Sequence, residues 1–131
     1  MANPFDALEG ARYIRLSTFR KNGEAVPTPV WFARVGENLY FTTGRNTGKA
    51  KRIRNNPEVA IAPSDFRGRP KGSDIRAVAR LTDEPKGGTA DGALRKKYGW
   101  QYRAFEFVEG LIGSAEELAF LELRPPQEKE A

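Results

Sequence analysis

Six strand-like segments, separated by short turns, dominate this sequence of 131 residues. Each is rich in the β-branched, aromatic and aliphatic residues that fit a pleated, half-buried surface. Short connections favour antiparallel pairing, so we predict one mainly β domain over residues 1–131, a barrel rather than a sandwich, with a frayed tail at about 126–131. The predicted strands cover residues 12–19, 25–34, 39–43, 58–62, 75–81 and 118–123. Short helices are predicted at 4–9, within 44–57 where the helix opens with Gly48, and at 89–98, with Asn3 capping the first and Thr89 or Asp91 the last.

The second predicted strand contains two prolines, Pro27 and Pro29. Proline lacks a backbone N–H and is found at a sheet edge or a bulge, where backbone groups remain free to face something else. The Asn22-Gly23 dipeptide before this strand is a strong signal for a tight hairpin, and a turn at residues 36–38 follows it. We therefore predict that the first three strands form a meander whose second strand keeps unpaired backbone groups.

The stretch from Leu39 to Pro57 is the strongest candidate for a functional site. Its strand ends at Gly44, and Asn46-Thr47 then supplies a capping residue for a short helix. Lys49 falls in the first turn of that helix, where the helix dipole already carries partial positive charge. A bound anion would relieve this conflict, because free backbone N–H groups and the lysine ammonium would both face it. The sequence therefore predicts a phosphate site.

Positive charge is concentrated in the middle of the chain. Residues 45–80 contain ten Lys or Arg and three Asp or Glu, a net charge of +7, whereas the whole chain carries +5. Such a concentration attracts anionic ligands, but it is also typical of a solvated basic face. Nucleic-acid binding is a third interpretation. We disfavour it because the basic helix is only about two turns long and the aromatic residues lie in a separate stretch.

The sequence contains neither cysteine nor histidine. This removes disulfides, thiolate chemistry, imidazole ligands and the Ser-His-Asp type of triad, so we predict no metal site and disfavour a zinc or haem enzyme. No apolar run approaches the roughly 18–20 residues of a membrane span, and the N-terminus lacks a signal-peptide pattern. We therefore expect a cytoplasmic protein with no membrane or nucleic-acid partner.

Four short motifs occur in a particular order along the chain. They are Thr28-Pro29-Val30-Trp31-Phe32, Thr42-Thr43-Gly44, Gly48-Lys49 and Arg54-Asn55-Asn56-Pro57-Glu58-Val59. Together they resemble the pyridoxamine-phosphate-oxidase-like split-barrel family, and more narrowly its branch that uses the deazaflavin coenzyme F420. The likeness extends from about Phe5 to Pro125. The absence of histidine departs from true pyridoxamine phosphate oxidases and argues against vitamin B6 oxidation.

The resemblance implies a homodimeric split β-barrel of the FMN-binding type, with six antiparallel strands, short helices and the cofactor in a groove at the dimer interface. It implies that Lys49 binds the cofactor phosphate. It further implies that a strand beside the ring system and a strand end leading to the phosphate complete the site. The residues of the first are Thr28, Pro29, Val30 and Trp31, and those of the second are Thr42, Thr43 and Gly44.

The choice between the two cofactors depends on charge. FMN carries one phosphate, whereas F420 carries a phosphodiester and an oligoglutamate tail. The cluster of Lys49, Lys51, Arg52 and Arg54 exceeds what FMN needs, so we favour F420, with Lys51 as a further cofactor-binding residue and FMN as the alternative. We predict an F420-dependent reductase that passes a hydride to a small organic acceptor without a catalytic acid or base. An FMN oxidoreductase and a carrier without turnover are the alternatives.

Five aromatic residues lie within ten positions near the end of the chain. Such a cluster can form one wall of an acceptor pocket, a dimer contact or part of the core, since aromatic side chains dominate all three. These three interpretations remain open at this point. The five are Tyr98, Trp100, Tyr102, Phe105 and Phe107.

Overall fold

The computed structural model describes residues 3–85, 87–105 and 118–126, so Phe107 and the tail beyond residue 126 lie outside the described residues. Seven strands form one antiparallel sheet with the order β2-β1-β5-β6-β7-β4-β3. This confirms the mainly β class but not the count of six strands. The strands are β1 Tyr13–Phe19, β2 Ala25–Val30, β3 Ala33–Val35, β4 Asn38–Gly44, β5 Glu58–Ser64, β6 Ile75–Leu81 and β7 Leu118–Arg124. The helices are a 3-10 helix at Pro4–Leu8, α1 at Gly48–Asn55 and α2 at Thr89–Tyr98.

The two edge strands of the sheet, β2 and β3, are consecutive in the chain and are joined only by Trp31 and Phe32. Three Cα–Cα steps of 3.8 Å span roughly 11 Å at most, so the two edges must lie side by side and the sheet must curl. Within the described residues no hydrogen-bonded pairing joins β2 to β3. The curled sheet is therefore not a closed barrel, and it is open at this crossover.

The predicted strand over residues 25–34 is wrong, because the chain leaves one edge of the sheet at Val30 and enters the other at Ala33. The predicted meander is wrong for the same reason, since β2 pairs only with β1 and β3 pairs with β4. At Phe32 the backbone forms hydrogen bonds with a side chain instead of with a neighbouring strand. The Tyr98 hydroxyl lies 2.9 Å from both the backbone nitrogen and the carbonyl oxygen of Phe32. The expectation that the prolines mark an edge strand is confirmed.

The sheet buries side chains on both faces. The inner face carries the main core, in which Ile53 of α1 joins residues such as Leu16, Phe41 and Leu121. The predicted apolar ridge of α1 is confirmed, because Ala50 and Ile53 are both buried. A second cluster lies between the sheet and α2. It contains Ala33, Tyr40, Ala90, Leu94, Tyr98, Tyr102 and Phe120.

The N-cap of the 3-10 helix is the residue predicted from the sequence, whereas the N-cap of α2 is not. The Asn3 side chain accepts a hydrogen bond from the Phe5 N–H, and Pro4 begins the 3-10 helix, as predicted. The N-cap of α2 is Gly88 rather than Thr89 or Asp91. The Asp91 carboxylate is instead buried, where it accepts hydrogen bonds from the Gly87 N–H and the Tyr102 hydroxyl.

A buried carboxylate ties β4, β6 and β7 together. Glu122 accepts hydrogen bonds from the Tyr40 hydroxyl at 3.0 Å and from the Nε of Arg80 at 2.9 Å, and it also pairs with Arg124. Burial acts to raise the pKa of Glu122, but the hydrogen bonds from Arg80 and Arg124 outweigh it and leave that pKa below its ordinary value. The network fixes the strand that leads into the candidate site.

None of the helices in the described chain is long and apolar enough to cross a membrane.

Candidate functional site

A cavity of about 420 Å³ lies where the ends of β2 and β4 meet the start of α1. Its volume falls within the roughly 300–1,000 Å³ typical of small-molecule sites. Seven of the nine predicted site residues line it, so the structure brings both predicted segments and the predicted lysine to one place. The lining residues are Tyr13, Pro29, Val30, Trp31, Thr42, Thr43, Gly44, Thr47, Lys49, Phe66, Phe105 and Leu118.

The two remaining predicted residues, Thr28 and Lys51, are not among the lining residues. Thr28 lies on β2 before the two lining residues Pro29 and Val30 and is half-buried. Lys51 is exposed and follows Lys49 by two positions, a spacing that puts the two side chains on different sides of a helix. The cofactor-binding roles of Thr28 and Lys51 stay predictions, and neither residue lines the cavity.

The N-terminus of α1 faces this cavity through a threonine cap. The Thr47 hydroxyl accepts a hydrogen bond from the Ala50 N–H at 3.4 Å and donates to the Gly44 carbonyl at 3.1 Å. Since its one proton is used there, Thr43 is the donor in the 3.1 Å contact between the Thr43 and Thr47 hydroxyls. No described residue accepts a hydrogen bond from the N–H of Gly48 or Lys49. Two backbone donors are thus available to an anion.

Two cationic side chains meet at the same helix start. Lys49 is half-buried, and burial, followed by the nearby charge of Arg52, lowers its pKa. The Nε of Arg52 donates to the Thr18 hydroxyl at 2.6 Å, and its Nη1 lies 2.8 Å from the point where a Cβ on Gly48 would be. Among the described residues no carboxylate forms an ion pair with either side chain. The site therefore carries uncompensated positive charge and favours an anionic ligand.

Part of the cavity lining is aromatic. Trp31 stacks on Tyr98 with a centroid distance of 4.6 Å and an interplanar angle of 13°, and it meets Phe105 edge-on at 5.9 Å. The aromatic cluster therefore divides between roles, because Tyr98 and Tyr102 are buried in the core whereas Phe105 lines the cavity. Trp100 is 76% exposed and belongs to neither.

Several lining residues carried no clear signal in the sequence. Tyr13 and Leu118 come from strands that pass the cavity, and Phe66 comes from the loop between β5 and β6. Asp65 holds that loop in a turn by accepting hydrogen bonds from the N–H groups of Arg67 and Arg69. Phe66 is 63% exposed, and an apolar residue at the tip of a polar loop is the one sequence feature that could have indicated it.

A family model described as pyridoxamine 5'-phosphate oxidase matches residues 5–124. The chain belongs to this family. The comparison with curated proteins gives no match. The split-barrel likeness inferred from the motifs is thereby confirmed at the level of the pyridoxamine 5'-phosphate oxidase family.

Solved structures with a similar fold agree with this family assignment. An F420 reductase is 23% identical, with 97% of this chain and 96% of that chain covered and a TM-score of 0.62. The heme storage protein HutZ from Vibrio cholerae is 16% identical, with coverage of 98% and 93% and a TM-score of 0.63. An FAD-binding protein from Mesorhizobium loti is 17% identical, with coverage of 93% and 84% and a TM-score of 0.60. At these identities the likeness is one of fold, and relatives of this fold bind different cofactors.

Proposed function

We propose that this chain binds a phosphate-bearing flavin-type cofactor, with F420 preferred to FMN, and acts as an oxidoreductase on a small organic acceptor. One observation carries the proposal: Lys49 is half-buried in the cavity beside two available backbone N–H groups, and no described carboxylate offsets its charge. A phosphate oxygen bound there would accept hydrogen bonds from the ammonium and the helix start together.

The preference for F420 rests on the second cation. Arg52 adds a charge within reach of the same helix start, so Lys49 and Arg52 together offer two positive charges. A phosphodiester carries one negative charge, so it would leave the second cation for the acidic tail. The contribution of the other basic residues is smaller than the sequence suggested, because Arg54 donates to the Arg45 carbonyl and Lys51 faces solvent.

The chain's own residues would act by binding, orientation and exclusion of water. When bound, such a cofactor supplies hydride-transfer chemistry. Trp31 and Pro29 offer flat apolar contacts to a ring system, and Thr42 and Thr43 line the same cavity as Lys49. The described lining contains no carboxylate, which agrees with a site that positions reactants rather than one that moves protons.

We also propose a homodimer in which the second copy closes the open side of the cavity, as in the family that the motifs resemble. Heme storage remains a property of HutZ, and this sequence contains neither histidine nor cysteine, two common ligands of heme iron. A cofactor carrier without turnover stays the second candidate, because the same cationic helix start would bind a cofactor whether or not an acceptor follows it.

Separate fluorescence titrations of the purified protein with F420 and with FMN test the proposal. We expect saturable binding of F420 that is tighter than that of FMN. Micromolar binding of FMN with none of F420 would overturn the preference, and binding of neither would overturn the proposed function. Reduced F420 is then offered with a panel of acceptors. Tight binding without oxidation of the reduced form by any acceptor would favour the carrier.

A further inference from the structure

The loop between β5 and β6 holds an exposed aromatic ring at the cofactor cavity. Phe66 lines this cavity although 63% of the residue is exposed, and it belongs to neither core cluster. Among the described residues no aromatic ring stacks on it. Exposed apolar surface at a cavity is a feature of binding sites. The Phe66 ring therefore offers a ligand a flat apolar contact that the core does not use.

Hydrogen bonds and packing give this loop a defined shape. The Asp65 carboxylate accepts hydrogen bonds of 2.9 Å from the N–H groups of Arg67 and Arg69. The Asp65 N–H donates to the Arg69 carbonyl at 3.1 Å. Gly68, whose φ is +84°, lies against β2, since a Cβ at Gly68 would be 3.3 Å from the Cδ of Pro29. Because Pro29 also lines the cavity, this packing holds the loop at the cavity edge.

One cation of the loop lies at the Phe66 ring. The Arg67 guanidinium carbon is 5.3 Å from the ring centroid, and Arg67 is exposed. The nearby carboxylate of Asp65 is engaged by backbone N–H groups and interacts electrostatically with Arg69 and Lys71. In the part of the chain that the structure describes, no carboxylate forms an ion pair with Arg67. Its guanidinium is thus available to an anion beside the aromatic ring.

This cation is well separated from Arg52, the second cation of the proposed cofactor site. Tyr13 pairs with Ser64, directly before the loop, whereas the Nε of Arg52 donates to the Thr18 hydroxyl. Tyr13 and Thr18 are five positions apart on β1, which is about 17 Å at a rise of roughly 3.4 Å per residue. The loop and the helix start can therefore hold two different anionic groups.

We infer that this loop binds the acceptor of the proposed reaction, and that the acceptor is a planar aromatic carboxylate. The inference rests on the proposed function, which requires an acceptor beside the cofactor. The aromatic plane packs against Phe66, and the carboxylate pairs with Arg67. A saturated ring system of the same size would lose the flat contact, and a neutral amide would lose the ion pair.

Isothermal titration of the purified protein with 2-naphthoate tests this inference, with 2-naphthamide and decahydro-2-naphthoate as ligand controls. The first control removes the charge, and the second removes the flat ring. We expect naphthoate to bind about fivefold more tightly than either control, as for one exposed ion pair or one aromatic contact. Equal affinity for naphthoate and either control, or no binding of naphthoate, would overturn the inference.

Two substitutions in the loop test the individual contacts. Phe66→Leu keeps an apolar side chain without the aromatic ring, and Arg67→Met removes the cation. Each should weaken naphthoate binding about fivefold. Arg69→Met is the matched control, because it removes an exposed cation of the same loop and keeps the backbone hydrogen bond to Asp65. It should leave the affinity for naphthoate unchanged. Equal losses in Arg67→Met and Arg69→Met would indicate long-range attraction and contradict the inference.

An acceptor must occupy the cavity together with the cofactor. Saturating F420 or FMN should therefore leave the affinity for naphthoate unchanged or raise it. In the wild-type protein, naphthoate should shift the amide resonances of Phe66 and Gly68. Displacement of naphthoate by the cofactor, or shifts confined to Thr47 and Lys49, would overturn the inference while cofactor binding still supports the proposed function. Naphthoate bound at Phe66 with neither cofactor able to bind would overturn the proposed function, and with it the acceptor role, but not the carboxylate site.

Discussion

The hydroxyl oxygen of Tyr98 lies 2.9 Å from the backbone nitrogen of Phe32 and 2.9 Å from its carbonyl oxygen. The Arg12 carbonyl lies 2.7 Å from the same hydroxyl. A phenol has one proton, so this hydroxyl accepts from the Phe32 N–H and donates to one of the two carbonyls. Burial raises the pKa of Tyr98 to about 12, which keeps that proton in place at neutral pH. The Tyr98 hydroxyl therefore provides a hydrogen-bond partner for the backbone of Phe32 at the point where the sheet is open.

Replacement of Tyr98→Phe should lower the free energy of unfolding by about 1–3 kcal/mol, because it leaves the buried Phe32 N–H without a partner. Tyr13→Phe is the matched control, since no described residue forms a hydrogen bond with the Tyr13 hydroxyl, and it should change stability by less than about 0.5 kcal/mol. Urea unfolding of both variants measures the difference. Equal effects would mean that the hydroxyl does not hold the crossover.

Replacement of Lys49→Glu should weaken cofactor binding by about 1.5–3 kcal/mol, roughly 10- to 150-fold, the range for hydrogen bonds to charged groups. Lys51→Glu makes the same change of charge at an exposed position of the same helix and should weaken binding far less. The fluorescence titration described above measures both. Similar losses would indicate long-range attraction by the basic segment instead of contact with Lys49.

Replacement of Gly48→Ala should weaken cofactor binding without a comparable change in the free energy of unfolding. The added Cβ would lie 2.8 Å from the Nη1 of Arg52, so this flexible guanidinium must move away from the helix start. We expect weaker cofactor binding with a free energy of unfolding within about 1 kcal/mol of wild type, since alanine also favours the helix. Gly92→Ala in α2 meets no atom within 4 Å and serves as the control, with unchanged binding. Unchanged binding in Gly48→Ala would show that Arg52 does not contact the cofactor.

Lys97 should make stability rise with pH in a defined window. Burial, followed by repulsion from Arg12, lowers its folded-state pKa to about 8, below the value of about 10.4 in unfolded chains, so between these values the unfolded state binds more protons. The unfolding free energy of the wild type should therefore increase relative to Lys97→Met from about pH 8 to pH 10. Lys96→Met, which removes the exposed neighbouring lysine, is the control. Urea unfolding across pH 7–10 checks this, and a parallel course for Lys97→Met would contradict the assignment.

Much of the fold follows from local sequence. The start of α1 at Gly48, its threonine cap and its buried ridge follow from capping chemistry and spacing, and the alternation in β6 correctly separates buried Ala77 and Ala79 from exposed Arg76. These features depend on neighbours within a few positions. Lys49 was identifiable for the same reason, because its conflict with the helix dipole is visible in the sequence.

The errors in strand placement concern contacts between distant parts of the chain. Residues 25–34 have the composition of one strand, and the interruption at Trp31 comes from Tyr98, 66 positions after Phe32. The environment of Lys97 was equally hidden, since it is set by Phe32 and Arg12 rather than by its own helix. Periodicity and capping rules do not describe such pairs.

The place of β7 in the sheet has a consequence for synthesis of the protein. It is the last of the described strands in sequence, yet it lies between β6 and β4 and pairs with the segment that carries Thr42 and Thr43. Until β7 has emerged from the ribosome, the hairpin of β3 and β4 has no neighbour on the side of β6, and the two edges cannot meet at Trp31. Folding during translation can therefore assemble β1, β2, β5 and β6 early, whereas the cofactor cavity forms only after roughly residue 124 has been added.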